Sequence, residues 1–283
     1  MNLDNLILHP RTAMFAEKIT ANLPNGLIIE GPVGGGVVAV AKSIADRLGS
    51  PSFVLLPRKK VRGELTVDLD DGSIIIEDIR QLYQQTCTKQ PGQSVYIIDT
   101  GGKSMTIGAQ NAFLKLLEEP RNGVHFIIAT HQFDQLLSTI ASRCQRLTLL
   151  PINDDQTNEL IDSLSITDQT KRTRLAFVGR GRPALIRRLA ADDKLYEARV
   201  KIMSDAKTML GANTYDKMTV VHAYRESRAD ALTLLDDMNL QLQIVLRSQP
   251  EKRHVKEIDR NLEARRRIAA GGNIRSQLIT IVI

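Results

Sequence analysis

The chain has 283 residues, of which 42% are hydrophobic and 25% are charged, a composition typical of folded globular proteins. Lys and Arg outnumber Asp and Glu by 38 to 32, which gives a formal net charge of +6 at pH 7. No apolar run approaches the ~20 residues that span a bilayer, and the first residues lack the pattern of a signal peptide. We therefore expect a soluble, cytoplasmic protein with no membrane partner.

The basic excess is modest, so it admits nucleic acid as a partner without requiring one. Aromatic residues make up only 4% of the chain and Trp is absent, which disfavours stacking of bases on side chains. Any DNA partner is therefore expected to be held by its phosphates. The two cysteines, Cys87 and Cys144, are too few for a disulfide framework or a four-cysteine zinc site.

The first half of the chain alternates short β-rich runs with amphipathic stretches. Several runs are apolar at consecutive positions, as expected for strands buried on both faces of a parallel sheet. The stretch before Pro120 repeats its apolar residues at helical spacing, and the proline ends it. This alternation predicts a parallel α/β sheet with helices on both faces. The predicted strands span residues 26–30, 52–56, 72–76, 94–99, 124–129 and 146–150.

After the last predicted strand, helical patterns take over. Either Asp154 or Asp155 is expected to cap one helix, a second is expected to start at Thr167 and Asp168, and Pro183 lies in the first turn of a third. Longer amphipathic helices follow, with breaks near residues 211–214, 248–250 and 271–273. The chain is thus predicted to contain an α/β domain at 1–151, a small helical lid at 152–192 and a helical collar at 193–283.

A glycine-rich turn follows the first predicted strand and precedes a helix, which is where a phosphate-binding P-loop lies. The glycines of this turn are Gly31, Gly34, Gly35 and Gly36. A P-loop places Lys and then Ser or Thr after its last glycine, because the Lys neutralises phosphate charge and the hydroxyl binds Mg²⁺. Val37 and Val38 occupy those places. The turn is therefore either kept for its shape or retains a weak anion site of backbone amides.

The predicted strand at 94–99 ends in Asp99, as a metal-binding Walker B strand does. A hydrolysing enzyme of this type needs a second carboxylate directly afterwards to polarise the attacking water, and Thr100 stands there instead. Asp99 could hold a metal through water or cap the end of the strand. Together with the altered glycine turn, this pattern predicts a chain that does not hydrolyse ATP by itself.

Residues 94–152 carry several specific motifs in order. The strand ending at Asp99 is followed by a Leu-Glu-Glu-Pro element ending at Pro120, by the run 126–131, and by Ser-Arg-Cys at 142–144. This series resembles the clamp-loader branch of the AAA+ family, and within it the delta prime subunits of bacterial DNA polymerase III. The resemblance is strongest over 70–152, fair over 26–48 and weaker onward to the end.

The resemblance implies a pentamer with ATP sites between neighbouring subunits, each completed in trans by the arginine of Ser-Arg-Cys. Carried onto this chain, that arginine finger is Arg143, which would bring fixed positive charge to the phosphoryl group in transfer. On spacing alone, Arg143 is an ordinary surface arginine. The implied partners are gamma/tau- and delta-type subunits, the sliding clamp reached through the complex, and primer–template DNA held by its backbone. The resemblance implies that partner subunits bind the ATP.

The implied function is a scaffold without ATPase activity within the DNA polymerase III holoenzyme, in the complex that loads the sliding clamp onto primed DNA. The alternative is an active AAA+ ATPase of the clamp-loader or helicase-loader type, which Val37, Val38 and Thr100 disfavour. A free-standing DNA-binding protein driven by the +6 charge is a third possibility.

The resemblance also places other family features on this chain. Thr130 matches the first nucleotide sensor, although we expect it to bond to neighbouring groups. Arg182 is the nearest candidate for the second sensor, but its surroundings depart from the family pattern and favour a role as surface charge. The basic run at 57–62 stands where many relatives have a four-cysteine module, and because this segment contains no cysteine, no zinc is expected. The run itself is expected to contact DNA phosphates or an acidic partner, or to be a solvated loop. Cys144 is expected to be a small buried residue and not a nucleophile.

Overall fold

The computed structural model describes residues 6–61, 64–69, 72–87, 92–101, 104–248 and 250–282. Arg62, the last residue of the predicted basic run, lies outside the described residues. The chain forms two compact units, Met1–Ala190 and Ala191–Ile283. The helices predicted as a lid belong to the first unit, together with the sheet.

The first unit is built on a five-stranded parallel sheet and a separate two-stranded hairpin. The strands are β1 (Gly26–Glu30), β2 (Ser52–Leu55), β3 (Arg58–Val61), β4 (Glu64–Val67), β5 (Ser94–Asp99), β6 (Val124–Thr130) and β7 (Gln145–Thr148). The sheet has the order β2-β5-β6-β1-β7, and β3 pairs with β4 in the hairpin. Strands β5, β6 and β1 are buried at every position, which explains their continuous apolar runs.

Helices cover both faces of this sheet, so the predicted fold class is confirmed. One face carries α1 (Pro10–Ala21) and α2 (Val37–Arg47), whose apolar residues cluster with Leu27 and Ile29. The other carries α3 (Ile76–Cys87) and α4 (Ile107–Glu118), which cluster with Ile28. These three residues of β1 alternate between the faces because successive strand side chains point to opposite sides. The short helix α5 (Ser138–Ala141) comes directly before the segment leading to β7.

The prediction of a strand at 72–76 is wrong. Ser73 makes only an isolated bridge with Arg58, and α3 begins at Ile76. The carboxylate of Asp78 accepts a hydrogen bond from the amide of Ile75 at 2.9 Å, which satisfies an amide at the start of the helix. The apolar run at 72–76 was interpreted as a strand because a buried loop can show the same run of apolar residues as a buried strand.

Residues 58–61 of the basic run form strand β3 of the hairpin. Every residue of β4 is exposed, so the hairpin lacks the continuous apolar run that a strand buried on both faces shows in the sequence. Arg58 forms an ion pair with the fully buried carboxylate of Asp78 at the start of α3. This basic residue therefore anchors the hairpin to the core of the unit.

Three short helices complete the first unit: α6 (Asp154–Ser163), α7 (Gln169–Val178) and α8 (Pro183–Ala191). Asn153, one residue before the two predicted candidates, caps α6 and exchanges hydrogen bonds with Gln156 in a capping box. Asp168 caps α7, which agrees with the predicted start at 167–168, and Pro183 is the first residue of α8. A proline suits this position because the first turn leaves its amide unpaired.

The described residues of the second unit form five helices: α9 (Asp193–Gly211), α10 (Thr214–Ala223), α11 (Arg228–Ser248), α12 (Lys252–Ala269) and α13 (Ile274–Val282). Three of the four breaks between them coincide with the predicted ones, and the break at 224–227 was not predicted. Within its apolar core, Arg199 of α9 forms a bidentate ion pair with Asp237 of α11, and both side chains are buried. None of the helices in the described ranges combines the length and apolar character that crossing a bilayer requires.

Candidate functional site

The glycine turn connects β1 to α2 at the carboxyl edge of the sheet. Gly34 and Gly36 have φ angles of +83° and +94°, which explains why glycine occupies both positions. Val37 is 2% exposed and belongs to the core on this face, and Val38 packs against the same core. The two positions that would contact phosphate and Mg²⁺ in a P-loop therefore supply only apolar contacts.

The first turn of α8 closes over the glycine turn. The amides of Ala184 and Leu185 donate hydrogen bonds to the carbonyl of Gly34 at 3.0 and 3.1 Å. A Cβ atom at Gly34 would lie 2.8 Å from Cβ of Leu185, so the backbones are close. The amides at this helix end, which in other proteins bind anions, are thus already bonded to the protein.

Arg182 lies immediately before α8, where the family resemblance places a possible second sensor. Its Nη2 donates a hydrogen bond to the carbonyl of Val178 at the end of α7, at 2.7 Å. The guanidinium therefore helps to join two helices of the first unit.

The polar side chains at the carboxyl ends of β5 and β6 bond to nearby backbone. Asp99 accepts a hydrogen bond from the amide of Gly101 at 2.9 Å, which caps the strand. The hydroxyl of Thr100, which is 1% exposed, donates to the carbonyl of Ala129 at 3.1 Å. The hydroxyl of Thr130 accepts from the amide of Gln132 at 3.1 Å. The residue in the place of the second carboxylate is therefore a structural link between strands.

Sequence reasoning missed a carboxylate at the entrance to the glycine turn. Glu30, the last residue of β1, accepts two hydrogen bonds from Nη2 of Arg146 at 2.6 and 2.8 Å and one from Thr148 at 2.6 Å. Cζ of Arg146 also lies 3.7 Å from the ring centroid of Phe133. An acidic residue at the end of an apolar strand was the available signal, and its partner lies 116 residues away.

Arg143 lies between α5 and β7, at the surface of the first unit. Its Nη2 is 2.8 Å from a carboxylate oxygen of Glu118, and its Nη1 donates to the carbonyl of Thr139 at 3.1 Å. The side chain of Arg143 is 40% exposed, so part of the guanidinium remains open to solvent.

Cys144, the next residue, turns into the protein. A Cβ atom at Gly26 would lie 2.7 Å from its sulfur, so the glycine leaves room for the thiol. Burial raises the pKa of the Cys144 thiol to about 11. Because the thiolate is the nucleophilic form, the geometry and the raised pKa favour a packing role for this residue.

The two cysteines are expected to react with a maleimide at clearly different rates at pH 8. Cys87 is exposed, whereas Cys144 is part-buried and remains a thiol at this pH because its pKa is about 11. Mass spectrometry of partly labelled chain should find the label at Cys87 first, and labelling of Cys144 should rise with pH up to its pKa. Equal rates at both positions would contradict this assignment.

Comparison with known proteins shows which family the chain belongs to. Residues 13–153, about half of the chain, match the family model described as DNA polymerase III, delta subunit, and this range contains the glycine turn and Arg143. The chain is 32% identical over 116 residues to DNA polymerase III subunit delta′ of Haemophilus influenzae, covering 41% of this chain and 35% of that protein. The chain belongs to the clamp-loader family of AAA+ proteins.

Other matches of this clamp-loader family member agree. It is 30% identical over 178 residues to replication factor C subunit 4 of rice, covering 62% of this chain and 49% of the relative. The matches thus span half or less of the length of these curated relatives. A DNA polymerase III gamma subunit-related protein of Thermotoga maritima shares the fold, with a TM-score of 0.56 and 17% identity, over 96% of this chain and 97% of that one.

Several basic residues of this clamp-loader family member are paired with acidic side chains. In the first unit, Arg180 lies 2.6 Å from Asp154. In α12, hydrogen bonds from Arg266 and Arg267 lower the pKa of the Glu263 carboxyl. These pairs neutralise part of the positive charge of the chain.

In the parts of the chain that the structure describes, no three His, Cys, Asp or Glu side chains come together as metal ligands. The expectation that this family member uses no zinc remains a prediction.

Proposed function

We propose that this chain is a delta prime-type clamp-loader subunit that neither binds nor hydrolyses ATP and that completes a neighbour's ATP site with Arg143. The closed glycine turn carries the proposal. Val37 is buried in the core, and the carbonyl of Gly34 accepts hydrogen bonds from the first turn of α8. A phosphate arriving here would meet no loop lysine, and the first turn of α8 lies against the glycine turn at Gly34.

The position of Arg143 supports the second part of the proposal. Its guanidinium is partly exposed, and the match to the polymerase III family model includes it. An arginine supplied from a neighbouring subunit can stabilise the charge that develops during phosphoryl transfer, provided that it is held near the surface.

The role that follows is a scaffold in a hetero-oligomeric complex with gamma/tau- and delta-type subunits. The ATP belongs to those partners, and the complex places a sliding clamp on primed DNA, which it contacts through the backbone. The second unit would serve as the collar that joins the subunits. Relatives named as polymerase III and replication factor C subunits support this role, and a cytoplasmic location accords with it.

Nucleotide titration of the isolated chain tests the first part of the proposal. We expect no saturable binding of ATP at micromolar concentrations and no turnover, because the glycine turn lacks its lysine and is covered by α8. A gamma/tau-type subunit, measured in parallel, is the positive control. Micromolar binding with turnover would favour the active ATPase instead, and binding without turnover would contradict the closed turn.

A further inference from the structure

The guanidinium of Arg143 is held by two different helices of its own chain. Nη2 is 2.8 Å from an oxygen of Glu118, the last residue of α4. Nη1 donates to the carbonyl of Thr139 in α5 at 3.1 Å. A guanidinium carries five N–H donors in a fixed fork, so these contacts orient its plane and leave three donors for another ligand.

The backbone beneath Arg143 is also held in place. A Cβ atom at Gly26 would lie 2.7 Å from the sulfur of Cys144 and 3.4 Å from the carbonyl oxygen of Arg143. The start of β1 therefore packs directly against this segment. Both the backbone and the tip of the arginine are restrained before any partner arrives.

Glu118 contributes more than a chance surface contact. Its carboxylate lies at the carboxyl end of α4, where the helix dipole also favours a cation. An unrestrained arginine has many rotamers and loses this freedom when it binds, so restraint in advance lowers the entropic cost of binding a phosphoryl group.

We propose that Glu118 is a positioning residue that preorganises Arg143 for the ATP site of the neighbouring subunit. This inference rests on the function proposed above. Glu118 does not itself contact the nucleotide, and it acts only by restricting where the guanidinium can be. The adjacent Glu119 has the same charge but is not the carboxylate that contacts Arg143, which makes it a matched control.

The test uses the assembled clamp-loader complex with clamp, primed DNA and ATP. Glu118→Gln and Glu118→Ala are each expected to lower kcat for ATP hydrolysis at the site that receives Arg143 roughly two- to fivefold, the size of one exposed ion pair. KM for ATP should stay unchanged, since the groups that bind ATP belong to the neighbour. Glu119→Gln should leave both constants unchanged. In a chain that already carries Arg143→Ala, Glu118→Gln should have no further effect.

The outcomes separate this inference from the proposed function. If Arg143→Ala lowers kcat while both Glu118 variants match Glu119→Gln, the positioning role is overturned and the finger stands. An increase in kcat for Glu118→Gln would also overturn it, because the carboxylate would then restrain Arg143 from reaching the phosphate. If Arg143→Ala leaves kcat unchanged, the proposed function itself fails. Equal thermal unfolding midpoints of the variant chains show that a loss of folding is not the cause.

Discussion

Replacement of Arg143 by alanine is expected to slow ATP hydrolysis about 10³-fold or more at the site that receives this residue. The reason is that the transferred phosphoryl group loses a fixed positive charge in its transition state. The total ATPase rate of the complex should fall by at least the fraction that this site contributes to it. Clamp- and DNA-stimulated ATPase activity of the reconstituted complex measures this loss, and gel filtration shows whether the subunits still assemble.

Arg121→Ala is the control for this experiment. Arg121 is also an exposed arginine with a hydrogen bond to a backbone carbonyl, that of Cys87, but it lies outside the Ser-Arg-Cys element. We expect the complex that contains the Arg121→Ala chain to have the same ATPase activity as the unmodified complex. Unchanged turnover in the Arg143 variant would remove the arginine finger from the proposed function.

Asp237→Asn is expected to destabilise the second unit by about 3–5 kcal/mol, because it leaves the buried charge of Arg199 without its partner. Hydrogen exchange of backbone amides in α9 and α11, measured on the full chain, reports this loss as faster opening of both helices.

The neighbouring residue offers a matched control for this substitution. Asp236 is 49% exposed and pairs with Arg265 on the surface. Asp236→Asn should therefore change stability by no more than about 1 kcal/mol, the usual range for exposed pairs. Equal effects of the two substitutions would mean that the Arg199–Asp237 pair is no more important than a surface contact.

The sheet was predictable because its central strands leave a strong local signal. Strands β1, β5 and β6 are buried on both faces, so each reads as an unbroken apolar run. The hairpin of β3 and β4 left no such signal because it is largely exposed. The segment at 72–76 had the signal of a strand without the structure, since Ile74 is buried in a loop.

The candidate site divides in the same way. The sequence alone shows that the P-loop lysine and the second carboxylate are missing. Val37 and Thr100 stand in their places, at known offsets from a glycine and from an aspartate. No offset indicates that Glu30 binds Arg146, since the strand that carries the arginine follows 116 residues later. The contact of Glu118 with Arg143 was likewise hidden, although both residues lie in recognised motifs.

The sequence by itself determined which chemical groups are present at each position: valines after the glycines, a lone Asp99, and an arginine within Ser-Arg-Cys. It also indicated where most helices after the sheet begin and end, because caps and breaks act over a few residues. Only the tertiary structure decided that α8 packs against the glycine turn and that Glu118 contacts Arg143. These contacts join residues far apart in the chain, so they depend on how the helices pack on the sheet and on no local pattern.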